Sequence, residues 1–181
     1  MDCFTRQIVF LRPATFVIFD RVCSKNAGFK KTWLLQAMKV PVQADEHLII
    51  TNGKGRLFVQ TLLPENQEVR LIWGSELYSY GGRNYPPARD TGPAPQWRIE
   101  VSPSEQNKSD FFLHVLTATD SSIDSVDKAT INIVPREVRV SIGQTTINFT
   151  TSAIGGGIEL LGHRRQFVNK AIPRANVLFE E

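Results

Sequence analysis

The chain has 181 residues, of which 41% are apolar and 22% charged, with a formal net charge of +3. This suits one soluble domain of generous size with a real core. It excludes a strongly basic nucleic-acid binder by composition, and no apolar run approaches the roughly 18 to 20 residues of a membrane helix.

In chain order, the first predicted strands are IVFL at 8–11 and FVIF at 16–19. A turn near Pro13 between them predicts a hairpin that sets Cys3 opposite Cys23. Cross-strand neighbours are close enough for a disulfide, and equally for two free thiols that merely pack. The opening MDCFTRQIVFLR lacks the order of a signal peptide. Met1 is therefore expected to open either a cytoplasmic protein or a piece of a longer one.

Alternation puts Phe16, Ile18, Asp20 and Val22 on one face of the second run, and Val17, Phe19, Arg21 and Cys23 on the other. Both faces are largely apolar, so the strand reads as central. A buried Asp20 then needs a hydrogen-bond partner, a cation or a metal. The segment 31–39, with the run TWLLQAM, is predicted to fold back on 15–23 about the SKNAGFK turn. In that register Asp20 and Gln36 are diagonal neighbours and form a polar pair in the core. Trp33 reads as core, and Arg12, Arg21, Lys30 and Lys31 as a solvated edge.

LIIT at 48–51 and RLFVQTLL at 56–63 flank Asn52-Gly53, a hairpin signal. VRLIW at 69–73 follows, and Pro64, Pro103 and Pro135 each close a strand. The stretch from 78 to 96, YSYGGRNYPPARDTGPAPQ, is neither strand nor tidy turn. Disorder would not favour its aromatics, so it reads as an ordered surface loop. Tyr78, Tyr80, Arg83, Tyr85 and Arg89, near Trp73 and Trp97, are the candidate substrate-binding set. Sugar rings stack on aromatic faces, and Arg forks hold carboxylate or sulfate. The plainer reading has the tyrosines pinning the loop and the arginines solvated. Trp97, like Trp33, reads as core.

WRIEV at 97–101 and FFLHVLTA at 111–118 precede a polar connector, SSIDSVDKAT at 121–130. The runs INIV, VRVSI, TTINFT, IELL and NVLF follow, with GGG at 155–157 read as a bulge or turn and Gly143 in a hairpin. About a dozen short runs rich in Val, Ile, Phe and Thr predict an all-β antiparallel β-sandwich. Residues 1–181 are read as a single domain, with the last strands completing the sandwich. His47, His114 and His163 are scattered, and His114 reads as a packed, hydrogen-bonded residue. There is no GxSxG, phosphate-binding glycine loop or CxxC. No catalytic residue is assigned.

The stretches FVIFDRV, KKTWLL, GRLFVQTLLPE at 55–65 and QWRIEVSPS at 96–104 keep an order that resembles heparinase II/III-type polysaccharide lyases. The similarity is to the β-sheet domain that follows the helical catalytic domain, and it covers the first two thirds of the chain. The NYP-containing loop before WRIEV agrees with it. The resemblance implies a non-catalytic C-terminal portion of a bacterial lyase, periplasmic or secreted, without the N-terminal helical domain. It would pack on that domain and form one wall of the cleft for an acidic polysaccharide such as a glycosaminoglycan. The family's tyrosine and histidine lie mainly in the helical domain, so none is carried onto this chain. Many of these lyases have a histidine at the position of Gln36, which with a nearby Asp would bind zinc. That histidine is absent here, and an amide is a poor zinc ligand, so no cofactor is expected and Asp20 is only a weak metal candidate. The competing class is a free-standing carbohydrate- or protein-binding module, and a third is a purely structural domain. An exposed apolar patch on one sheet would favour docking onto a further domain, and an aromatic-lined groove a binding module.

Overall fold

The computed structural model describes residues 2–88 and 92–167. These residues are all-β, in antiparallel sheets, with a single-turn 3-10 segment at Gly74–Glu76. The chain divides into two compact units, one ending at Lys128 and one starting at Ala129. The division falls inside the polar connector 121–130. The predicted NVLF run at 176–179 lies outside the described residues.

The first unit opens with the expected hairpin. β1 (Cys3–Leu11) pairs with β2 (Thr15–Cys23) in the register Cys3↔Cys23, and the two cysteines form a disulfide. β2 is central, as its two apolar faces require: its other neighbour is β11 (Ser109–Asp120), a twelve-residue strand. β11 continues to β6 (Gly55–Leu63), then β5 (His47–Asn52) and β4 (Val42–Ala44). The β5–β6 turn carries Gly53 at φ 59°, the left-handed conformation its Asn-Gly signal predicts.

The second sheet of this unit has three strands, in the order β3 (Trp33–Ala37), β10 (Trp97–Pro103) and β7 (Gln67–Trp73). The two sheets share one core. Trp33, Ala37, Ile99 and Val101 pack from the three-stranded side against Leu48, Ile50, Val59 and Phe112 from the six-stranded side. Trp33 stacks on His114 of β11, with ring centroids 3.7 Å apart.

The predicted pairing of 15–23 with 31–39 is overturned. β2 and β3 belong to different sheets, and the segment 24–32 is a crossing between them. Its ends are fixed by long-range bonds that a local reading does not see. Ser24 N donates to Lys108 O at 2.8 Å, and Lys31 Nζ pairs with Asp110 at 2.8 Å. Gly28 N donates to the Asn26 side chain at 2.9 Å, which turns the chain between them.

The second unit carries a five-stranded antiparallel meander: β12 (Thr130–Val134), β13 (Glu137–Ile142), β14 (Thr145–Thr150), β15 (Gly156–Leu160) and β16 (His163–Gln166). These strands, expected to complete the sandwich, form a sheet of their own. Val138, Val140, Ile147 and Phe149 are fully buried, one alternating face of β13 and β14. The turn at Gly143, φ 54°, joins those two strands as predicted.

Candidate functional site

Alternation places Phe4, Arg6, Ile8 and Phe10 of β1 beside Val22, Asp20, Ile18 and Phe16 of β2, all on the core-facing side of the six-stranded sheet. Asp20 is buried as expected, but its partner is Arg6. The guanidinium holds the carboxylate in a two-point fork, Nε to Oδ1 at 2.7 Å and Nη2 to Oδ2 at 2.6 Å. That bond raises the Arg6 pKa above its ordinary value, although burial opposes it. The Asp20–Gln36 pair does not exist: Gln36 is exposed, opposite Arg98 in the other sheet. The cation that balances Asp20 sits directly across the first hairpin, in the register that also joined the cysteines.

Of the four residues read as a solvated edge, Arg21 and Lys31 are buried. Arg21 donates to Thr5 at 2.9 Å and Gln7 at 2.8 Å and lies over the Phe19 ring, and burial lowers its pKa. Lys31 is the crossing segment's anchor. Arg12 and Lys30 are exposed.

His114 is fully buried. Thr61 Oγ1 lies 3.1 Å from Nδ1, and Nε2 has no hydrogen-bond partner among the described residues. Burial holds its pKa down at about 3, helped by the nearby Arg6 charge, so the ring is neutral. His47 is half-buried with its ring edge-on to Phe58, and His163 is exposed at the start of β16. Among the described residues no group of three His, Cys, Asp or Glu is placed to hold a metal.

The 78–97 stretch contains an element that sequence missed. β8 (Ser79–Tyr80) pairs with β9 (Arg83–Asn84) around Gly81-Gly82, at φ 58° and 76°. This is the two-residue hairpin that paired glycines favour. Tyr85 N closes its base on Tyr78 O at 2.9 Å. Tyr78 is half-buried, while Tyr80, Arg83 and Tyr85 are exposed, and Arg83 lies over the Tyr85 ring at 5.4 Å. Arg89 lies outside the described residues. The hairpin is tethered by a residue no motif flagged. Buried Arg98 donates to the Leu77 carbonyl, to Ser79 O at 2.9 Å, and pairs with Glu100 at 3.0 Å.

Two cavities meet at Tyr80 and Lys30. One, of about 580 Å³, lies on the outer side of the three-stranded sheet, between Arg70, Arg98 and Glu100 and the Tyr80–Gly82 turn, with Lys30 at its rim. The other, of about 650 Å³, is lined by Phe4, Arg6, Phe29, Trp33, Leu34 and Tyr80, among others. Tyr80 and Lys30 border both. Arg83 and Tyr85 border neither. The first cavity offers cations and a phenol to a polar or anionic ligand, and the second mainly apolar and aromatic surface. Trp73 and Trp97 pair across the ladder, rings 4.9 Å apart, Trp97 against the core and Trp73 largely exposed.

No protein-family model matches this chain, and no curated protein matches it. Among the described residues, no helix is long and apolar enough to cross a membrane.

Proposed function

We propose that this chain is the non-catalytic β-sandwich portion of a heparinase II/III-like polysaccharide lyase. It packs on the helical part of that enzyme and forms one wall of a cleft for an acidic polysaccharide. The enzyme works outside the cytoplasm, in the periplasm or secreted. The four stretches that carry the resemblance fall on β2, β3, β6 and β10, two strands in each sheet, around the shared core. They are core-forming stretches, which supports a likeness of fold and assigns no catalytic role to this chain.

The observation that carries the reading is the apolar strip on the open side of the first hairpin. Phe4, Ile8, Phe10 and Phe16 are 48%, 58%, 48% and 40% exposed on a core-facing surface, and Phe10 stacks on Phe16 at 4.6 Å. A largely apolar face of this kind, interrupted by Arg6, is what a docking surface for another polypeptide body looks like. The outer cavity, with Lys30, Arg70 and Tyr80 around it, suits an anionic sugar chain. A free-standing carbohydrate-binding module is the second reading, favoured by the aromatic-lined cavity around Trp33 and Tyr80.

Purified chain is the test. With heparin, heparan sulfate, alginate or ulvan it should produce no rise in ultraviolet absorbance from unsaturated uronate, while binding at least one of them weakly. A time-dependent rise would overturn the non-catalytic assignment. Tight binding, unchanged when the strip is made polar by Ile8→Lys and Phe10→Lys, would favour the free-standing module.

A further inference from the structure

The strip is exposed because the two sheets differ in width. Trp33 stacks on His114, so β3 lies over β11. Beyond β11 the six-stranded sheet continues through β2 to β1, whereas the three-stranded sheet ends at β3. Within the first unit the three-stranded sheet supplies no strand over β2 or β1 on this face. On β11 the residues of this face, Phe112 and His114, are buried, while one and two strands further out Phe16, Phe4, Ile8 and Phe10 stand open. The width without a facing strand is two strands, about 10 Å. At the Phe4 end, Phe29 and Lys30 of the crossing segment and Tyr80 wall a cavity over Phe4, Arg6 and Val22. The open part is therefore Ile8, Phe10 and Phe16. Along its inner border runs the free edge of β3, with backbone groups on that side unpaired in the ladder.

We propose that this face takes a two-stranded β segment of a partner polypeptide, which extends the three-stranded sheet from β3 and covers the strip. The proposal rests on the reading that another polypeptide body covers this face, and it names the form of the contact: the partner reaches the strip through a β segment and not through its helices. The core of the sandwich is continuous with the strip through Val22 and Leu116, which already pack against it. A strand hydrogen-bonded to β3 keeps that continuity, and its alternate side chains fall on Phe16 and Ile18. The second strand falls on Ile8 and Phe10, and its end meets the cavity that Phe4 lines. Near Arg6, whose side chain is 42% exposed, the segment carries a hydrogen-bond acceptor. A second copy of this chain joined edge to edge through β3 does not fit. Pairing two β3 strands about a two-fold axis normal to the sheet would put one molecule's β11 where the other's β2 lies.

The test uses the full chain and three synthetic probes. One is an Asn-Gly-closed β-hairpin with valine at alternate positions. The second is the same hairpin with N-methyl groups on one edge, and the third an amphipathic helical peptide of equal apolar content. Affinity is read by fluorescence anisotropy, and amide exchange is followed at Trp33–Ala37. The hairpin should bind, slow exchange in β3, and lose at least about tenfold in affinity on N-methylation or in Ile8→Lys. Ile8 is exposed, so that substitution leaves the fold intact. Binding of the helical peptide in preference to the hairpin, or hairpin binding without protection of β3, overturns the strand-addition mode and leaves the docking reading standing. Binding of none of the three overturns both.

Discussion

Asp20 shows how a single residue can be half legible. Two apolar faces predicted burial, and burial demanded a partner. The partner, Arg6, was hidden because the sequence also offered Gln36, and only the sheet order decides between them. Asp20→Ala should cost about 1 to 3 kcal/mol, since it strips a charged acceptor from Arg6 inside a partly buried fork. Denaturant unfolding measures this, and a loss within about 0.5 kcal/mol would match an ordinary surface site. His114 gives the pH prediction. Its folded pKa, about 3, lies below the ordinary 6.5, so in that window the unfolded chain binds a proton that the native state refuses. The His114 contribution is therefore intact above pH 6.5 and is lost as pH falls toward 3, at up to about 1.4 kcal/mol per pH unit. Subtracting the stability curve of His114→Gln cancels the carboxylates that titrate in the same range. The stability gap between wild type and variant should narrow on acidification, and a pH-independent gap would show that the histidine is not held neutral.

At the scale of elements, local pairings were readable and crossings were not. The first hairpin, with its Cys3↔Cys23 register, follows from one turn and two alternating runs. β8 and β9 were overlooked because two-residue strands have no periodicity to detect. The false β2–β3 hairpin arose because nothing within 24–32 announces that Lys31 answers to Asp110 and Ser24 to Lys108. The disulfide closes the 20-residue separation between Cys3 and Cys23, and removing it by Cys3→Ser with Cys23→Ser should lower stability by about 2 to 4 kcal/mol. Mass spectrometry of the non-reduced chain should recover the 3–23 link within one molecule, and recovery only of linked dimers would break the register. The GGG run has a sharper meaning than flexibility. A Cβ on Gly156, at φ 128°, would meet Asn148 O at 1.9 Å, and one on Gly157 would meet Arg165 O at 2.7 Å. β15 thus passes too close to both neighbours for any side chain there. Gly156→Ala should destabilise the second unit by roughly 1 to 3 kcal/mol, whereas Gly53→Ala, with open space around it, should cost less. Equal thermal shifts in the two variants would show that the close approach is not what selects glycine.

At the scale of the whole molecule, an all-β chain was legible from the short, β-branched, turn-bounded runs. Unequal sheet widths were not, because they depend on which strand ends a sheet, and no local pattern encodes that. Tyr78, Tyr80, Arg83 and Tyr85 had seemed equivalent, but only Tyr80 stands between the two cavities, while Arg83 and Tyr85 engage each other on the far strand of the small hairpin. Lys30 and Arg70 provide exposed cations around the outer cavity. Binding of heparin or alginate to the isolated chain should therefore be weak. It should fall as salt rises, because exposed charges are screened beyond about 8 Å at physiological ionic strength. Tyr80→Ala should reduce affinity roughly threefold to tenfold, about 0.6 to 1.4 kcal/mol, without moving the thermal midpoint, since the ring is exposed. Arg70→Gln should act in the same direction and flatten the salt dependence. Arg83→Ala combined with Tyr85→Ala should leave both affinity and stability close to wild type. Affinity electrophoresis at two ionic strengths separates these variants. If the double substitution abolishes binding while Tyr80→Ala does not, the polysaccharide runs over the hairpin and the two cavities that Tyr80 borders are not its path.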